Sequence, residues 1–131
     1  MPEKTVQPGD TFSQTFIVQP QQTALALGSG QLEVFSTPAM IACMENTAMK
    51  LLSTTLDKES SSVGVEINAR HIKASPVGET IAFTATVKSV QGRSVEFEIT
   101  AVNQKGICIG TATHIRVIID IERFMAKLNN Q

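Results

Sequence analysis

The chain has 131 residues, of which 42% are apolar and 18% charged, and its formal net charge is −1. That balance excludes a disordered chain, and the near-neutral charge excludes a broad basic surface for nucleic acid or an anionic membrane. The length fits a single domain, 1–131, large enough to bury a hydrophobic core.

In chain order, the polar N-terminus lacks the apolar segment of a signal peptide. No run approaches the ~18 apolar residues of a membrane span, so a cytoplasmic location is expected. Thr11 to Val18 alternates through Phe12, Phe16 and Val18 and reads as a strand. Gln19 to Gln31 contains Pro20, Gly28 and Gly30 and reads as irregular, with Leu32 to Phe35 a short strand leading into a helix.

That helix, from about Pro38 to Leu56, organises the chain. Ser36 or Thr37 can cap its first free N–H groups, and Pro38 fits the first helical position. Ten of the fifteen residues from Pro38 to Leu52 are Ala, Cys, Met, Ile or Leu, so the helix is expected to be buried nearly all round. Glu45 is the exception. At ~100° per residue it lies within roughly 40° of Ile41, Met49 and Leu52, where an unpaired carboxylate is costly.

The remainder is strand-like. Ser62 to Ala74 carries Val63, Val65, Ile67, Ala69 and His71 on one parity, and Gly64 in its middle marks a bulge or a close ligand approach. Ile81 to Val87 and Val95 to Ala101 follow as half-buried strands separated by a Gln91-Gly92 turn. Ile107 to Ile119 places Ile109, Ile115, Val117 and Ile119 on one face, which leaves His114 and Arg116 reading as outward or edge residues. Glu122 to Leu128 reads as a terminal helix. Short turns between successive strands imply an antiparallel sheet, so the class is α+β: five strands wrapped around one apolar helix. The uncovered side of that helix, or a sheet edge, invites a second copy.

Cofactor motifs are absent: there is no GxGxxG, P-loop, GxSxG or HExxH pattern, and no cofactor or metal is expected. Cys43 and Cys108 lie in apolar runs without ligand spacing and read as small hydrophobes. The candidates are the polar residues in apolar settings. His71 reads either as a hydrogen-bonded core residue or as a group with a shifted pKa facing the helix that holds Glu45. Thr37 reads as an N-cap or as part of an oxyanion site at the helix start. Thr37 and Glu45 lie about 12 Å apart along one helix and cannot bond each other within it. Arg116, with Arg70 and Lys73, is a candidate for holding phosphates.

Ser36-Thr37, Met44-Glu45, Gly64, Ala69-Arg70-His71, Ser89 to Arg93, Ile109-Gly110, Thr113 to Arg116 and Ile121 to Lys127 together carry a resemblance. The chain resembles the hotdog-fold acyl-CoA thioesterases, and within them the fluoroacetyl-CoA thioesterase family. The resemblance implies that Thr37, Glu45 and His71 form a catalytic constellation, and that the protein is a homodimer with an acyl-CoA pocket at the subunit interface. Gly64 and Arg116 are then candidate substrate-binding residues. Between Val18 and Phe35 the chain departs from the family's longer, aromatic-rich lid, so fluoroacetyl selectivity is not implied. The competing reading is an acyl-CoA binding module without turnover, in which Glu45 and His71 are a satisfied buried pair.

Overall fold

A computed structural model of the chain describes residues 5–130; the first four residues of the polar lead-in and Gln131 lie outside the described residues. The elements are β1 (Thr11–Ile17), a 3₁₀ turn (Pro20–Gln22), α1 (Ala24–Leu27), α2 (Thr37–Ser53), β2 (Ser60–His71), β3 (Thr80–Gln91), β4 (Ser94–Asn103), β5 (Cys108–Asp120) and α3 (Ile121–Asn129). The five strands form one antiparallel sheet in the order β1-β3-β4-β5-β2, so β1 and β2 are its edges. The sheet wraps α2, the hotdog arrangement. Leu32 to Phe35 makes only isolated bridges, Thr23 with Phe35 and Val34 with Pro76, in place of the expected strand.

The core lies between α2 and the concave face. Met40, Met44, Ala48 and Leu52 are buried on α2 against Ile81, Phe83, Val95, Phe97 and Ile99 of β3 and β4. Each large side chain so buried contributes about 1.5–3 kcal/mol. Small residues let the helix approach: a side chain on Gly110 would meet the Met40 sulfur, which fills that space instead. The other flank of α2 is covered incompletely. Phe16, Gln21, Gln22 and Leu27 stand over Ala39, Ala42, Cys43 and Asn46 around a gap of about 350 Å³. Cys43 is buried there, and burial pushes its thiol up to about 11, so it behaves as the inert hydrophobe the sequence implied.

Two bulges overturn the expected strand parities. In β2 the register shifts between Gly64 and Glu66, leaving Val65 as the extra residue, 58% exposed instead of inward. Ser62 and Gly64 therefore face α2 before the bulge, and Ile67, Ala69 and His71 face it after. In β5 the register against β4 shifts between the Val102–Cys108 and Ala101–Gly110 pairs. Ile109 is absorbed there, and from Gly110 onward the even-numbered residues point inward. His114 and Arg116, expected to be outward, are consequently buried at 1% and 7% exposure opposite Phe97 and Val95.

Candidate active site

The site begins at the N-terminus of α2. Ser36, in extended conformation, caps the helix by accepting from the Ala39 N–H at 3.2 Å. Thr37 is therefore not the cap, and its hydroxyl is released for another contact. That contact is His71, at the end of β2: Thr37 Oγ1 lies 2.8 Å from His71 Nδ1. The Phe35 ring stands edge-on to the imidazole at 6.2 Å. Burial lowers the His71 pKa below the ordinary imidazole value, so it is neutral at pH 7 and able to take a proton. Its Nε2 is buried and lacks a hydrogen-bond partner among the described residues. The pair opens onto a cavity of about 280 Å³ lined by Val34, Phe35, Ser36, Thr37, His71 and Ala74.

Glu45 sits two turns further along α2 and is half-buried. Its Oε2 lies 3.0 Å from the point a Gly64 Cβ would occupy, and His114 Cε1 and Arg116 Nη1 lie 3.0 and 3.4 Å from the same point. Gly64 is thus a hole in the sheet into which a carboxylate, an imidazole and a guanidinium converge. Among the described residues the only ion pair is the exposed Lys88–Glu98 contact, so Arg116 faces Glu45 without closing on it. Burial lowers the Arg116 pKa and the Glu45 charge opposes that fall, which places the two within Coulombic range.

Within one chain, then, the expected constellation is divided. Thr37 and His71 are joined; Glu45 is grouped instead with Gly64, His114 and Arg116. His71 does point at α2, as its parity implied, but its partner there is Thr37. Arg116 is part of the buried site and not a surface phosphate clamp. Arg70 points to the opposite face of the sheet, where it lines an open groove with Asn68, Glu98, Thr100, Thr111 and Thr113. Ser62 and His114 are the members that sequence reasoning missed. The small residues Gly110 and Ala112, on the same parity as His114, were the signal that this face meets a helix.

A family model described as fluoroacetyl-CoA-specific thioesterase matches residues 18–122. The chain belongs to that family. It is 32% identical over 130 residues to the fluoroacetyl-CoA thioesterase of Streptantibioticus cattleyicolor, covering 94% of this chain and 92% of that protein. A solved structure of a mutant FlK in complex with acetyl-CoA superposes with a TM-score of 0.89 at 30% identity, covering 95% of this chain and 98% of that one. A Thermus thermophilus protein of the thioesterase superfamily superposes at 0.86 with 22% identity, over 97% of this chain and 96% of its own, which shows the shared fold alone. As a member of the family the chain is a thioesterase. No helix among the described residues is long and apolar enough to cross a membrane.

Proposed function

We propose that the protein hydrolyses a small or medium acyl-CoA to a carboxylate and free CoA, at a site completed by two copies of the chain. The observation that carries this is the pair of unmet groups. Among the described residues, Glu45 presents a carboxylate over Gly64 without an ion-pair partner, and His71 Nε2 is buried without a bond.

Gly64 and His71 both belong to β2, a twelve-residue strand at the edge of the sheet. A free edge of that length is a template for pairing. If two β2 strands pair antiparallel about a two-fold axis near Ile67 and Asn68, Gly64 of one copy stands opposite His71 of the other. Glu45 and Arg116 of one protomer would then meet Thr37 and His71 of its partner, giving two equivalent sites per homodimer.

In that site Glu45 takes a proton from water as the water attacks the thioester carbonyl, or attacks that carbon itself to form a transient anhydride that water then hydrolyses, releasing the carboxylate and restoring Glu45. The C–S bond breaks, and the CoA thiolate leaves and is protonated. His71, neutral and held by Thr37, orients the carboxylate and moves protons. Thr37, through its hydroxyl and its own N–H at the start of α2, and the Gly64 N–H steady the developing oxyanion, and Arg116 adds its charge beside the reacting carbonyl. The fluoroacetyl-CoA thioesterase relative, and the mutant FlK structure in complex with acetyl-CoA, support fluoroacetyl-CoA and acetyl-CoA as members of the class.

The test is thiol release across acyl-CoA substrates from acetyl to long chain, with fluoroacetyl-CoA included, beside calorimetric titration of the same compounds. Turnover of the short members is expected; binding heat without thiol release across the whole panel would make the protein a binding module.

A further inference from the structure

His114 is the buried titratable group that the reaction does not use. It lies in the middle of β5, opposite Phe97 on β4 and Ile67 on β2, with the Phe97 ring tilted against it at 6.2 Å. Both its nitrogens are bonded, and the partners dictate where its proton sits. Nδ1 is 2.8 Å from the Glu66 carbonyl, which can only accept, so Nδ1 carries the hydrogen. Nε2 is therefore a lone pair, and Arg116 Nη1 donates to it at 3.2 Å. Burial, aided by the Arg116 charge, lowers the imidazole pKa against the opposing pull of the Glu66 carbonyl and Glu45, which keeps the ring neutral.

Arg116 is held on its other sides by Ser62. Its Nε donates to Ser62 Oγ at 2.8 Å and its Nη2 to the Ser62 carbonyl at 3.0 Å. Three of the five guanidinium N–H groups are thereby fixed on His114 and Ser62, and the rest of the guanidinium is left beside the Gly64 hole and Glu45. The β2 bulge supports the arrangement, because absorbing Val65 leaves the Glu66 carbonyl at the His114 ring. A guanidinium locked this way offers a fixed charge, where a mobile one would fold onto the carboxylate or swing away.

We propose that His114 is a positioning residue for Glu45, acting through Arg116. As a neutral Nδ1–H imidazole it clamps the guanidinium, so that a cation stands beside the carboxylate without closing on it. The proposal rests on the thioesterase reading of the same site.

Two amide substitutions separate this role from a structural one. In His114→Gln the amide reaches the position of Nε2 and can accept from Arg116; in His114→Asn it occupies the position of Nδ1 and can only serve the Glu66 carbonyl. The expected result is that His114→Gln keeps kcat within about threefold of the parent while His114→Asn loses about tenfold or more, the cost of a charged donor left unpaired. Melting temperatures of the two variants should fall by similar amounts. If His114→Asn turns over as fast as His114→Gln, the proposal is overturned and the thioesterase reading stands. If the parent releases no thiol from any substrate, both fall together. Should either variant not fold, ¹⁵N spectra of the parent decide: an Nδ1–H ring at neutral pH is expected for His114, and an Nε2–H ring would overturn the proposal.

Discussion

Glu45→Gln is expected to lower the rate of thiol release by on the order of 10²–10⁴-fold, the usual contribution of a general base. Glutamine keeps the size of the side chain and its place over Gly64, so packing against His114 and Arg116 changes little. What is lost is the capacity to take a proton or attack a carbonyl. The circular dichroism spectrum should be that of the parent. A folded Glu45→Gln protein with parental turnover would remove Glu45 from the chemistry altogether.

Gly64→Val is the second large effect. Gly64 does not have a positive φ, so backbone freedom does not explain the glycine. Valine favours strands, and on local preference alone the change would be neutral or stabilising. The reason for glycine is the space it leaves. The first added atom would lie 3.0 Å from both Glu45 Oε2 and His114 Cε1, and valine carries two methyls beyond it. Displacing a reacting group by about 1 Å is enough to cost on the order of 10²-fold, so the loss of activity should be at least that large. Overpacking should cost about 1–3 kcal/mol in a denaturant melt, leaving a folded protein. Parental kcat in Gly64→Val would mean that the Gly64 hole has no part in turnover.

How much of this the sequence disclosed depended on whether one period held along an element. α2 was legible because its apolar stripe and start signals agree, and Val95 to Ala101 because its alternation is uninterrupted from end to end. The identity of the cap was not. Proline prefers the first helical position, which favoured Thr37 as cap, but backbone bonds from Phe35 to Ser75 and from Ser36 to Gln22 hold Ser36 extended and place Pro38 second. The more consequential miss was His114 and Arg116. Counting twos from Ile109 sends both to solvent, and one absorbed residue at Ile109 brings both inside. The same event at Val65 turned an apolar residue outward and Ser62 inward. A bulge leaves no compositional mark beyond a nearby glycine, and both glycines concerned, Gly64 and Gly110, are also packing sites. Glu45 and His71 were found because each is a polar residue where its element demands an apolar one. Their separation within one chain was foreshadowed only by the helical distance between Thr37 and Glu45.

In the proposed dimer, Glu45 of one protomer works with His71 of the other. Glu45→Gln and His71→Ala proteins, each inactive alone, should be mixed in equal amounts, dissociated, and allowed to reassociate. A mixed dimer carries one site with both defects and one with neither, and random pairing makes half of all dimers mixed. Activity should therefore return to roughly a quarter of the parent's. If the mixture of folded, dimeric proteins stays as inactive as its components, the two residues act within one chain and the shared site is contradicted.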